Sequence, residues 1–236
     1  MVGAIAWASM LQGSGNPAGT VQGISAGKFE GPIVKRASLQ YLVSVPDDYE
    51  TARGKRYPLL VFLHGSGERG TNLELLKVHG PMKLAAAGKK FPFIVVAPQC
   101  SERRNWDADE LVGLLNDLEK KFRVDRSREY LTGISMGGYG TWALVAAQPK
   151  RFAAIAPVCG GGDPGSAASF AKVPTWVVHG DKDPAVPFAQ SVAMVDAMKA
   201  AGGSPIFTQV VGGTHDVWTE FYLKDEFYEW LLKFRR

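Results

Sequence analysis

Short unbroken apolar runs punctuate this chain: 58–63 (PLLVFL), 91–100 (FPFIVVAPQC), 129–135 (EYLTGIS), 152–160 (FAAIAPVCG), 175–180 (TWVVHG) and 206–213 (IFTQVVGG). They lack the polar alternation of a half-exposed strand, so they predict strands buried on both faces. An earlier stretch, 33–46 (IVKRASLQYLVSVP), is extended and β-rich. Between the runs the apolar period lengthens. A helix is predicted over 72–87, with Asn72 as N-cap and Leu73, Leu76 and Met82 on its apolar face. Another covers 107–122, with Leu111, Leu114, Leu115, Leu118 and Phe122 at helical spacing. Further helices are expected over 136–148, stopped by Pro149, over 187–201 and over 217–234. Strands interleaved with helices predict an α/β domain: a mostly parallel central sheet with helices on both faces. Ligands in such sheets bind at the carboxyl ends of the strands, which says where to look for chemistry.

Composition narrows the class without changing the fold. The chain has 236 residues and a net charge of +4, with basic residues in small groups among acidic ones, so a solvated surface is expected rather than a nucleic-acid footprint. No apolar run reaches membrane-spanning length. Two cysteines, Cys100 and Cys159, are too few for a disulfide scaffold and wrongly patterned for zinc. They end strands about three positions apart, roughly 14 Å at ~4.8 Å per strand, and are expected as free thiols. Residues 1–31 are rich in Gly, Ser, Pro and Ala beyond a mildly apolar start with no preceding Lys or Arg. They read as a leader or linker, with residues 32–236 as a single catalytic domain; the sequence sets neither the compartment nor the oligomeric state.

The chemistry begins with Gly133-Ile134-Ser135-Met136-Gly137, a G-x-S-x-G pattern between a strand and a helix. A nucleophile elbow needs that context, with tiny neighbours around an exposed serine hydroxyl. A serine hydroxyl needs a base to take its proton. Of the four histidines, His64 and His179 each precede a glycine at a strand end and read as structural, and His79 falls at a predicted helix end. His215, in VGGTHDVW after the last strand, can swing over the sheet. A carboxylate must orient that imidazole. Asp181 and Asp183 in HGDKDPAVP both qualify by location, and Asp163 is a third candidate; Asp183, deeper in the loop beside Pro184, is chosen. The order Ser135, Asp183, His215 is that of nucleophile, acid and base in an α/β-hydrolase topology. For the oxyanion, the backbone N–H groups of Met136 and of Ser66, in the loop HGSGERG, are the expected donors. That loop lacks the Gly-Lys-Ser/Thr ending of a phosphate loop.

Together PLLVFLHGSGERG, the APQC strand with Asn105-Trp106 after it, GISMGGYGTW, HGDKDPAVP and GGTHDVW resemble the α/β-hydrolase superfamily. Within it they resemble the small carboxylesterases, the phospholipase/carboxylesterase-like and "predicted peptidase" group related to feruloyl esterases, over about residues 35–236. The resemblance implies Ser135 as nucleophile, Asp183 as acid, His215 as base and the amides of Ser66 and Met136 as oxyanion hole. It implies no metal and no organic cofactor. The short connection 159–174 leaves no room for a lid domain, which favours small, soluble short-chain or aromatic esters as partners. Trp106 is expected either to line the substrate pocket or to pack under its loop, and Trp218 to buttress the histidine loop. A prolyl-oligopeptidase-type serine peptidase is the alternative activity, and a binding protein that kept the fold without catalysis a further one.

Overall fold

The computed structural model describes residues 36–236, so the expected leader lies outside the described residues. Among the described residues seven strands form one sheet in the order β1-β3-β2-β4-β5-β6-β7: Tyr41–Ser44 (β1), Tyr57–Leu63 (β2), Ile94–Pro98 (β3), Val124–Ile134 (β4), Ala154–Val158 (β5), Trp176–Gly180 (β6) and Ile206–Val210 (β7). β1 runs antiparallel to β3, and every other pairing is parallel. The chain winds from β2 outward to β3 and then returns to β4 on the other side of β2. This reversal makes the β2–β4 boundary a topological switch point, where the loops after the two strands diverge and leave a crevice. The register puts Leu63 opposite Gly133, so the loop following β2 and the turn following β4 start side by side.

The unbroken apolar runs are explained by what covers them. Leu59, Val61 and Leu63 of β2 face a cluster with Leu111, Leu114, Leu115 and Leu118 of α2 (Ala108–Lys121), Trp142 and Val145 of α3 (Met136–Ala147) and Met194 of α4 (Phe188–Ala200). Leu60 and Phe62, between them in sequence, face the other way. There they meet Met82 of α1 (Gly80–Ala86) and the aromatic residues of α5 (Trp218–Leu223) and α6 (Asp225–Leu232). With both faces buried, each strand position is worth roughly 1.5–3 kcal/mol when filled by a large aliphatic residue, so polar alternation has no place. α2 starts where expected because Asp107 accepts the N–H groups of Asp109 and Glu110 at 3.0 and 3.1 Å.

Two predicted helices are each broken in two. The 72–87 segment forms a 3₁₀ turn, Leu73–Lys77, capped by Asn72, and then α1. The break falls at Gly80, whose φ of +65° favours glycine and whose Cα lies against the Phe62 ring, where a Cβ would collide. The 217–234 segment breaks at Lys224, which is extended (φ −75°, ψ 123°). The bend folds Phe227 back onto Phe221, with ring centroids 4.7 Å apart, and Tyr228 donates its hydroxyl to the freed Tyr222 carbonyl at 2.8 Å. Burying more aromatic surface outweighs continuing one helix. Among the described residues no helix is long and apolar enough to cross a membrane.

Candidate active site

Ser135 sits between β4 and α3 with φ 52° and ψ −116°. A non-glycine residue held there costs on the order of 1–3 kcal/mol and persists only where its surroundings enforce it. The enforcement is visible: the Ser135 N–H donates to the Val158 carbonyl at 2.9 Å, and Tyr139 N–H donates to the Ser135 carbonyl at 3.1 Å. The flanking glycines are required by close approach. A Cβ at Gly133 would strike the backbone of Gly137, and one at Gly137 would strike the Leu63 carbonyl. The strand, the helix and the β2 loop thus pass within backbone contact, and the hydroxyl is left pointing out of the turn.

Asp183 follows β6 and His215 follows β7, two and three strands from Ser135. The gap is closed by the loop between β7 and α5, which is tied to the acid loop. Asp181 Oδ1 accepts the Gly212 N–H at 2.7 Å, and Lys182 N–H donates to the Gly213 carbonyl at 2.9 Å. His215 arrives with Nε2 2.9 Å from Ser135 Oγ and Nδ1 2.6 Å from Asp183 Oδ2. A carboxylate can only accept, so Nδ1 carries the proton and the Nε2 lone pair faces the hydroxyl. Trp218 packs edge-on against the imidazole, centroids 4.9 Å apart, and holds it upright. The Asp183 side chain is fully buried while that of His215 stays 24% exposed. Burial pushes the Asp183 carboxyl up, but the Val186 amide, His215 and the Ala185 amide outweigh it and hold the group below the usual aspartate range.

The loop after β2 brings Ser66 to the same edge. Ser66 opens a 3₁₀ turn, Ser66–Glu68, and Met136 is the first residue of α3, so the N–H of each lacks a partner inside its own helix. The loop is pinned from below. His64 is buried, with Nδ1 donating to the Gly65 carbonyl at 2.6 Å and Nε2 accepting the Cys100 N–H at 3.0 Å. Burial lowers its pKa to about 4, so the ring stays neutral. Trp106 donates Nε1–H to the His64 carbonyl at 3.1 Å, and its ring lies over Gly140. Its contacts are those of a prop beneath the loop; Ser135, His215 and Asp183 are held by other groups.

Asp163 caps the 3₁₀ turn Pro164–Ser169 by accepting the Gly165 N–H, and Asp181 acts as the loop tie described above. Sequence reasoning missed two neighbours. Arg69 donates from Nε to Met136 Sδ at 3.1 Å and from Nη2 to Asn105 Oδ1 at 3.3 Å, bringing a cation beside the elbow. His179 places a second imidazole on Asp183, Nε2 to Oδ2, at 3.1 Å; the spacing of four residues in HGDKD is the signal that could have found it. Cys159, His179 and Asp183 also form, among the described residues, one group whose ligand atoms lie within 4.8 Å of one another. Their lone pairs are committed. His179 Nε2 faces two acceptors and so bears its proton, Asp183 Oδ2 accepts from both imidazoles, and burial pushes the Cys159 thiol up to about 12. Both cysteines are free.

Residues 37–201 match a family model described as "Putative esterase". A protein of Aspergillus flavus named "Probable feruloyl esterase C" is 27% identical over 173 residues, 70% of this chain and 62% of its own length. A solved structure named "Crystal Structure of a Thermostable Esterase" is similar with a TM-score of 0.73 and 31% identity, covering 84% of this chain and 60% of that one. A feruloyl esterase module from Clostridium thermocellum, solved with sinapinate, aligns with a TM-score of 0.61 over 82% of each chain; at 20% identity it bears on the fold alone. This chain therefore spans less than two thirds of the length of the first two. The sheet order and the helices on both faces are those of the α/β-hydrolase fold, and with the family match covering well over half of its length the chain belongs to the esterase family.

Proposed function

We propose that the protein is a serine-dependent carboxylic ester hydrolase that acts on short-chain or small aromatic esters through an acyl-enzyme. The observation that carries this reading is the unbroken line Ser135 Oγ, His215 Nε2, His215 Nδ1, Asp183 Oδ2, with steps of 2.9 and 2.6 Å across the line's two hydrogen bonds. Ser135 attacks the ester carbonyl as His215 takes its proton. The N–H groups of Ser66 and Met136 receive the oxyanion, a donor of this kind being worth about 3 kcal/mol in the barrier. The imidazolium, steadied by the buried Asp183, then protonates the departing alkoxide. In the second half His215 activates a water that releases the acid. No step calls on a metal or organic cofactor.

The substrate reading rests on the architecture around the site. The connection between β5 and β6 holds only the turn Pro164–Ser169, so nothing there covers Ser135, and an open mouth suits small soluble esters over aggregated lipid. The relatives named as feruloyl esterases favour an aromatic acid among them. A small-molecule ester is the partner this reading requires; it calls on neither nucleic acid nor a membrane span. A fluorophosphonate probe should label the wild type and leave Ser135→Ala unlabelled, and a p-nitrophenyl ester series should show fastest turnover at short or aromatic acyl groups. Folded wild-type protein that neither takes the probe nor cleaves any ester sinks the proposal. Faster cleavage of a proline anilide than of p-nitrophenyl acetate replaces it with a peptidase.

A further inference from the structure

Asp183 is surrounded more fully than an orienting acid requires. Oδ1 accepts the N–H groups of Ala185 and Val186 at 2.8 and 2.9 Å, which fixes the plane of the carboxylate. Oδ2 is left for His215, yet His179 also reaches it at 3.1 Å. The His179 side chain is fully buried, and its donor is not free to choose. Nε2 lies 3.1 Å from the Val186 carbonyl as well, and both neighbours only accept, so Nε2 carries the hydrogen. On the other side Nδ1 lies 2.7 Å from Ser191 Oγ. In the neutral ring Nδ1 accepts, so Ser191 donates its proton there. The Gly160 carbonyl, which also lies near Ser191 Oγ, has the Trp142 Nε1–H as a donor instead. With Ser191 donating to Nδ1 and Nε2 donating to Asp183 and Val186, both nitrogens of the neutral ring have partners. Burial, as the main cause, lowers the His179 pKa and keeps the ring neutral.

We infer that His179 is a positioning residue: by donating a fixed hydrogen bond to the Asp183 oxygen that serves His215, it sets both the aim of that oxygen and the basicity of the His215 imidazole. The inference rests on the reading of Ser135, His215 and Asp183 as the catalytic set. Two donors on one oxygen share its negative charge, so each is held less strongly than it would be alone. Without His179, His215 loses its competing imidazole at Oδ2, which favours the imidazolium and should move the acid limb of the activity profile upward. The same loss frees the carboxylate to tilt, and the Ser135–His215 geometry loosens with it. The other ionisable groups around the pair, Cys159 at the end of β5, Tyr139 on α3 and Asp216 beside His215, are common to every variant below.

The test is the pH profile of kcat/KM for p-nitrophenyl acetate in the wild type, His179→Phe, His179→Gln and His179→Asn. Gln can place an amide N–H where Nε2 stood; Asn is too short to reach. Phe and Asn are expected to shift the acid limb upward by roughly half a unit to one unit, the equivalent of one modest hydrogen bond. They should lower kcat roughly 10- to 100-fold, the scale of a small misplacement, with KM nearly unchanged, and Gln should return both values most of the way. If Phe does not fold, the Gln–Asn pair carries the comparison. An acid limb that stays in place in folded, fluorophosphonate-labelled Asn and Phe variants overturns the inference, as does a kcat loss equal in Gln and Asn. A wild type that neither labels nor hydrolyses esters fails the functional reading instead, and the two failures are told apart at the first measurement.

Discussion

Two corners of this molecule begin with the same dipeptide at the end of a parallel strand: His64-Gly65 directly after β2 and His179-Gly180 as the last two residues of β6. Both rings are buried and neutral, yet they are opposite tautomers. His64 carries its proton on Nδ1, given to the Gly65 carbonyl, and uses Nε2 to accept a backbone N–H. His179 carries its proton on Nε2, given to Asp183 and the Val186 carbonyl, and accepts at Nδ1. The first ring ties two loops together mainly through backbone groups and supports the turn bearing Ser66. The second reaches a side chain of the proposed catalytic set. The difference teaches that a strand-end histidine is defined by what faces its two nitrogens, which the dipeptide does not record.

The largest effect that can sharpen this contrast is expected at the β6 corner. In Asp183→Asn the amide oxygen should take the place of Oδ1, since the Ala185 and Val186 N–H groups demand an acceptor. The NH₂ then faces His215 Nδ1, which must accept, and the proton moves to Nε2, where it blocks the Ser135 hydroxyl. A fall in kcat of roughly 10⁴-fold is expected with the fold intact, the scale of tautomer loss in a serine hydrolase triad. Turnover of p-nitrophenyl acetate and a melting curve measure the two halves. A loss below tenfold would mean that Asp183 does not fix the tautomer.

At the β2 corner the expected effect is on stability, and it depends on pH. The folded-state pKa of His64 is lowered from 6.5 to about 4. The stability tied to its neutral form is therefore complete above 6.5 and is lost as pH falls through about 4. The loss amounts to about 3 kcal/mol. Asp183 does not confuse this window, because its carboxyl is held below its ordinary 3.8 and its contribution vanishes only under more acidic conditions. His64→Asn strands the buried Cys100 N–H and should cost about 1–3 kcal/mol at pH 7. It also removes the titration, so denaturant midpoints of variant and wild type should converge from pH 7 to pH 4. Parallel curves would show that His64 is not the group that protonates.

The strands and the meeting of Ser135, Asp183 and His215 were legible because each follows from near-local rules. Unbroken apolar runs demand two covered faces, and residues ending neighbouring parallel strands share one edge of the sheet. The glycines at 133 and 137 advertise a close approach even though the atoms approached, in Gly137 and Leu63, cannot be named in advance. Illegible features depend on which side chains meet once the chain has folded. Nothing around Gly80 shows that the Phe62 ring lies beside it, so the helix period runs through the break. Lys224 has no helix-breaking chemistry of its own; the aromatic pairing of Phe221 with Phe227 imposes the bend. His179 reads as a loop donor because its bond to Val186 is generic; the four-residue spacing in HGDKD permits the bond to Asp183, and the folded structure forms it.

The smallest effect decides the role of Trp106, which belongs to the β2 corner by its contacts though its sequence position also suggested a pocket wall. Its Nε1–H holds the His64 carbonyl at 3.1 Å, and its ring lies 4.8 Å from the His64 ring. Trp106→Phe keeps most of the apolar surface and deletes that donor, so a loss of about 1 kcal/mol in stability is expected. The loop carrying Ser66 should loosen with it, lowering kcat a few-fold while KM for a p-nitrophenyl ester stays put. A pocket wall would behave in the opposite way: KM would rise, most of all for aromatic acyl groups, and the denaturant midpoint would hardly move. Because His64→Asn and Trp106→Phe act on one pinned loop, their stability costs should sum to less than additive in the double variant, whereas Trp106→Phe and His179→Gln, at separate corners, should add.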